Sequence, residues 1–254
     1  MMPPAIISRE PIPMHEVSAN QAPATRKEHG ALFKAGMVRA LQREVDPKWQ
    51  TRRLFTRHNS LVDGRRATST LWADLDFDAA WVDAGPSPAG NDGPYLKVPR
   101  RSDGSVHRVY ATIAVGDWLW VRESGWQRPS HRTARQLREG ADTWPSYLYD
   151  ADGHIDADEL RRWGWKRRTG IHMPRAACRL VLDVTAIRIQ HLQEIDTADA
   201  IAEGTPGGHG AIDGYSYNAT PLEHYRWLWG QINGARSWAA NPWVRVFEFR
   251  RVTP

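Results

Sequence analysis

The sequence of 254 residues predicts an α+β fold, a small closed or partly closed β-barrel with helices on its rim. Three observations carry this. Segments that alternate apolar and polar residues outnumber those with helical spacing. The two kinds are not regularly interleaved, which argues against a doubly wound parallel sheet. An apolar content of 41% and a charged content of 25% are ordinary for a chain that buries a real core, as one large domain or two small ones.

Residues 1–29 carry Pro3, Pro4, Pro11, Pro13 and Pro23 without a sustained apolar period and read as a flexible tail. "HGALFKAGMVRALQREV" places Leu32, Phe33, Met37, Val38, Leu41 and Val45 at helical spacing, and the helix is expected to end at Pro47. "DAGPSPAGNDGPY" is a loop, and "YLKVPRRSDGSVHRVYATI" a hairpin turning at Asp103 and Gly104. "AVGDWLWVRESGW" turns at Gly116 and Asp117 into a strand with Leu119 and Val121 on one face and Trp118, Trp120 and Arg122 on the other. "ACRLVLDVTAIRIQHL" and "PWVRVFEFRRV" are strands. Between them lie a helix starting at Thr197, a glycine-rich loop from Gly204 to Gly214, and a helix "TPLEHYRWLWGQI" ending near Gly234.

Lys and Arg number 34 against 29 Asp and Glu, a formal charge of +5, and arginines greatly outnumber lysines. Planar guanidinium groups suit bidentate contacts to phosphate, so an anionic partner such as a nucleotide or nucleic acid fits. The single cysteine, Cys178, rules out an internal disulfide and suits a reducing compartment. No segment approaches the roughly 18 consecutive apolar residues of a membrane helix, and no signal-peptide core is present. A cytoplasmic protein with no membrane partner is expected. The 13 tryptophans are read mainly as core and edge packing, with one or two left to stack on bases.

"LYDADGHIDADE" imitates a calcium loop, but Leu148 stands where the first oxygen ligand belongs. It reads instead as a turn followed by an acidic helix N-terminus. The histidines show no spacing that favours a metal site, and neither a metal nor a cofactor is expected.

"DPKWQTRRLF" concentrates Lys48, Thr51, Arg52 and Arg53 behind Pro47. A lysine three residues from a threonine can bring an amine to a hydroxyl, and burial would lower the lysine's pKa enough to make it a base. The same residues also read as a basic helix exit whose arginines cap the last carbonyls. Arg52 and Arg53 are candidates for holding a phosphate or a base edge. Glu123, in "WVRE", could face the same cavity or pair with Arg122 or Arg175.

Taken together, "KWQTRR", "GDWLWVRE", "IHMPRAACRLVLDVTAIRIQHLQEIDTADAIAEG" and "YRWLWGQINGARSWAANPWVRVFEFRRV" resemble the ASCH-domain proteins common in phages and prophages. These belong to the PUA-like superfamily of small β-barrels. The resemblance runs from Phe33 to Val252, and it implies one such domain over residues 30–254 with insertions around 57–112 and 127–170. Within that superfamily, N4-acetylcytidine amidohydrolases use a lysine, a threonine and a glutamate. The resemblance carries these roles to Lys48 as activating base, Thr51 as nucleophile and Glu203 as acid or orienting group. It implies a metal-independent amidohydrolase acting on an N4-acylated cytidine or a related modified nucleoside. Trp49, inside the motif, is expected at the pocket wall, where it would shape or narrow it. A non-catalytic reader of RNA or of a modified base, and a ribonuclease, use the same basic pocket in the alternative readings.

Overall fold

The computed structural model describes residues 26–83, 94–138, 140, 143–153 and 155–252. Most of the expected N-terminal tail and of the 83–95 loop lies outside the described residues. Numbered along the chain, the strands are β1 (Glu28–Leu32), β2 (Gln50–Leu54), β3 (Ser60–Val62), β4 (Trp81–Asp83), β5 (Tyr95–Pro99), β6 (Val106–Ala111), β7 (Trp118–Arg122), β8 (Gly125–Gln127), β9 (Tyr147–Tyr149), β10 (Lys166–Arg168), β11 (Val181–His191) and β12 (Trp243–Val252). The α-helices are α1 (Ala35–Leu41), α2 (Ser69–Asp74), α3 (Ala134–Arg138), α4 (Ala157–Arg162), α5 (Thr197–Ala202) and α6 (Pro221–Asn233). No helix among the described residues is long and apolar enough to cross a membrane.

The mixed α+β class is observed. Its strands form a five-stranded sheet in the order β1-β7-β11-β12-β2, a four-stranded sheet β3-β6-β5-β4 and a three-stranded sheet β10-β8-β9. No barrel closes among the described residues, contrary to one form of the expectation. In the central sheet β1 and β2 are edges, with β1 parallel to β7 and the other pairs antiparallel. The sheet nevertheless curls. An irregularity between Val184 and Ala186 interrupts the β11–β12 register, a device that bends a strand. The two edges then meet through a side chain: Arg53 of β2 donates to the Leu32 carbonyl of β1 at 2.7 Å.

Inside the curl, Phe33, Val38, Leu41, Leu119, Val121, Leu182, Val184, Phe247 and Phe249 form one core. On the outer face, α5 and α6 cover Val244 and Val246 with Ala200, Tyr225 and Trp229. The 57–112 stretch contains the four-stranded sheet, whose Val62, Leu75, Leu96, Val98 and Val109 pack as a separate cluster with Ile189 of β11. The 127–170 stretch contributes α3, α4 and strands of the three-stranded sheet.

Two local expectations change. The helix expected over 29–45 is a strand, β1, followed by the short α1. Parallel pairing with β7 and the anchoring of Lys27 N and His29 on Asp117 override the local spacing. Glu28 and His29, inside the segment read as a tail, therefore belong to β1. Likewise the basic motif is not a helix exit: its Thr-Arg-Arg lies in β2, which is buried over Gln50, Thr51 and Arg52.

The acidic turn behaves as a helix start. Asp156 caps α4 by accepting from the amides of Asp158 and Glu159, while Asp150 and Asp152 pair with Arg167 and Arg179. Helix α6 begins with a capping box between Thr220 and Glu223 and with Pro221 at its first turn.

Candidate functional site

Three backbone hydrogen bonds hold the start of the motif. Lys48 N donates to the Ala40 carbonyl of α1 at 2.9 Å, Trp49 N to the Ala202 carbonyl of α5 at 3.0 Å, and Phe249 N to the Trp49 carbonyl at 2.9 Å. Lys48 is thereby clamped between two helices, and its side chain enters the interior. Glu203 follows the last turn of α5, and Gly204 behind it adopts φ +87°. A Cβ on Gly204 would stand 2.7 Å from Ala40 Cβ and 3.2 Å from Lys48 Cβ, so only glycine lets α5, α1 and Lys48 approach this closely.

Lys48 Nζ donates to Glu203 Oε2 and to the Glu203 carbonyl, both at 2.7 Å. Arg52 bridges Glu203 Oε1 at 3.2 Å and Asp199 Oδ2 at 2.5 Å. Asp199 also accepts from Arg188 at 2.5 Å and from Gln50 at 3.2 Å, and Arg188 reaches on to Glu248. Charges of alternating sign thus run from Lys48 to Glu248. Burial pushes the Lys48 pKa down and outweighs the opposing pull of Glu203, with Arg53 and Arg52 adding to the fall. Burial tends to raise the pKa of Asp199, but the Arg52 and Arg188 guanidiniums hold it below the ordinary carboxylate value.

Of this network, Lys48, Arg52 and Glu203 line a cavity of about 530 Å³ at the seam between β1 and β2. Its wall includes Leu32, Phe33 and Lys34 from the β1–α1 turn, Lys48, Thr51, Arg52 and Arg53, Arg122 from β7, Glu203, and Tyr225 and Trp229 from α6. The size falls in the roughly 300–1,000 Å³ range of small-molecule sites. Buried polar atoms are almost always hydrogen-bonded. Among the described residues seven buried side-chain atoms are not, and three of them belong to this wall: Thr51 Oγ1, Arg52 Nε and Trp229 Nε1.

Five of the candidate residues, Lys48, Thr51, Glu203, Arg52 and Arg53, share this cavity. Their geometry differs from expectation in two respects. Thr51 Oγ1 has no partner, so Lys48 is not hydrogen-bonded to it in this state. Arg52 is occupied by two carboxylates and orients Glu203, while Arg53 forms no ion pair among the described residues and lies over the Phe33 ring.

Trp49 does not line the cavity. Ala202 of α5 and Phe249 of β12 take its backbone, and the indole turns outward, 46% exposed. Glu123 does not line it either. Its carboxylate meets Arg179, not Arg122 or Arg175, at 3.0 and 2.8 Å, and Tyr147 donates to its carbonyl.

Sequence reasoning missed Asp199, Lys34, Arg122, Tyr225 and Trp229. Asp199 had a signal, since it stands one helical turn before Glu203 and shares its face. Tyr225 and Trp229 have the same spacing on α6. Among the described residues no group of His, Cys, Asp and Glu is arranged to hold a metal ion. Compared with known families, curated proteins and solved structures, the chain has no match.

Proposed function

We propose that this chain is a metal-independent amidohydrolase that removes the acyl group from an N4-acylated cytidine or a related modified nucleoside, on a PUA-like scaffold of the ASCH type. The observation that supports it most is the unsatisfied, buried Thr51 hydroxyl on the wall of the cavity that Lys48 and Glu203 also line.

In the reaction, neutral Lys48 takes the Thr51 proton as Oγ1 attacks the acyl carbonyl carbon. The tetrahedral adduct collapses by breaking the C–N bond, and the Lys48 ammonium returns the proton to the exocyclic nitrogen, so the amine leaves as cytidine. Water, deprotonated by Lys48, then adds to the Thr51 ester; the adduct breaks its bond to Oγ1, the Lys48 ammonium returns the proton to Thr51, and the carboxylic acid departs. Glu203, held by Arg52, keeps the lysine aimed. Trp229 Nε1 and Arg52 Nε are buried donors without a partner, and a small shift on binding would have to expose one of them to the substrate's carbonyl oxygen. Lys48 rests on Glu203, on the α5 side of β2, and the mechanism requires it to reach Thr51 past the edge of that strand as substrate binds.

Incubation with N4-acetylcytidine, followed by chromatography, is expected to yield cytidine and acetate. Thr51→Ala is expected to abolish turnover while substrate still binds. No cytidine from the wild-type chain, with a control enzyme active in the same buffer, overturns the reading. The absent Lys48–Thr51 hydrogen bond favours one rival, a non-catalytic reader of a modified base or RNA, for which Thr51→Ala changes affinity alone.

A further inference from the structure

The cavity carries more positive charge than deacylation of a neutral nucleoside requires. Its wall holds Lys34, Lys48, Arg52, Arg53 and Arg122 against one carboxylate, Glu203. Lys48 and Arg52 are spent on that carboxylate and on Asp199. The other three have no ion pair among the described residues, and they gather at one place, the turn from Leu32 to Lys34. Arg53 donates to the Leu32 carbonyl at 2.7 Å. Arg122 stands opposite Leu32 in the β1–β7 register. Lys34 leads into α1 and reaches the Gln231 carbonyl of α6 at 3.2 Å across the mouth.

The groups are also held in place. Arg122 donates from Nε to the Gly170 carbonyl at 3.0 Å and from Nη2 to that of Ile171, and it lies over the Trp120 ring. Its Cδ occupies space that a Cβ on residue 30 would enter at 2.7 Å, which Gly30 leaves open. Arg53 is half-buried against Phe33. Carbonyl and ring contacts fix a guanidinium without neutralising it, and although burial lowers the Arg53 pKa against the pull of Glu203, a guanidinium starts far above any working pH. Fixed, unneutralised cations around a concave site are how proteins hold phosphate.

Resting on the amidohydrolase reading, we propose that the substrate is a nucleotide and not a free nucleoside, with its phosphate held by Arg53, Arg122 and Lys34 and its base directed toward Lys48, Thr51 and Glu203. The phosphate belongs either to a mononucleotide or to a strand.

Isothermal titration calorimetry at low salt tests this with cytidine, cytidine 5′-monophosphate and a single-stranded pentaribonucleotide with a central cytidine. The monophosphate or the pentamer is expected to bind at least about tenfold tighter than cytidine, the scale of a charge-assisted hydrogen bond. A pentamer tighter than the monophosphate assigns the phosphate to a strand, and the reverse order assigns it to a mononucleotide. Arg53→Gln and Arg122→Gln are each expected to bring the phosphate-to-cytidine affinity ratio toward one. Lys34→Gln, at an exposed residue, carries the same test where Arg122→Gln fails to fold. Equal affinity for all three ligands, no binding of any, or a preference that survives Arg53→Gln and Lys34→Gln overturns the proposal. A phosphate preference without release of cytidine from N4-acetylcytidine leaves the phosphate subsite standing and removes the amidohydrolase.

Discussion

Lys48 is joined to Glu203 at two points, the carboxylate and the main-chain carbonyl, each 2.7 Å from Nζ. One contact favours the charged amine, and the other fixes where it sits. Burial still wins, and the pKa lies below the ordinary 10.5. Because Glu203 is the opposing influence, Glu203→Gln is expected to lower the Lys48 pKa further, read by NMR titration of the labelled side chain. An unchanged or higher value would mean that the pair is not formed in solution.

The same depression has a consequence for stability. Between the lowered folded value and 10.5 the unfolded chain holds a proton on Lys48 that the folded chain has released. Unfolding free energy from this group therefore rises with pH across that window. Lys48→Met is expected to flatten the rise, measured by urea denaturation at a series of alkaline pH values.

Asp199 behaves in the opposite sense. Its pKa is lowered from 3.8 once Arg52 and Arg188 overcome the effect of burial, so its contribution is complete above 3.8 and lost as pH falls through the lower folded value. Asp199→Asn is expected to lose less stability than wild type between neutral and strongly acidic solution. At neutral pH, Arg52→Met takes one cation from each of two carboxylates that keep Lys48 and Arg188, so the loss is expected to fall short of the about 3–5 kcal/mol that stranding a buried charge costs. Denaturant midpoints measure both.

Gly204→Ala combines two costs. The left-handed backbone at φ +87° disfavours any side chain by roughly 1–2 kcal/mol, and the new methyl would press on Ala40 and Lys48. Stability is expected to fall by at least that amount and deacylation to fall with it, since Lys48 must shift. A variant of wild-type stability with full turnover would show that the close approach is unimportant.

Trp49→Ala makes a contrasting case. The indole is exposed and outside the cavity, so stability is expected to change by no more than about 0.5 kcal/mol and turnover to persist. A large loss of nucleotide affinity would return Trp49 to the binding surface.

Much of the scaffold was legible because its elements signal locally. β7 alternates cleanly, with Leu119 and Val121 inward, and α6 announces itself with Thr220, Pro221 and Glu223. β2 was not legible as a strand, because Gln50, Thr51 and Arg52 are all buried and the usual alternation is erased. The barrel expectation failed at one edge: β1 pairs with β7, and only a side chain links it to β2.

For the site, motif residues clustered in sequence also meet in space, but Lys34 and Arg122 join them only through the parallel β1–β7 pairing. No local pattern encodes that pairing. Glu123 meets Arg179 and not the nearby Arg175, a choice made by tertiary packing that sequence spacing does not encode.

Successive residues of β2 serve opposite sides of the central sheet: Thr51 pairs across from Phe247, and Arg52 across from Val246 beneath α5 and α6. A slip of one residue would place Arg52 beside the inner phenylalanines and offer Thr51 to Asp199. Turnover by this chain would therefore double as an assay of strand register, able to separate a correctly threaded molecule from an equally folded-looking one in which β2 has docked one step out of phase.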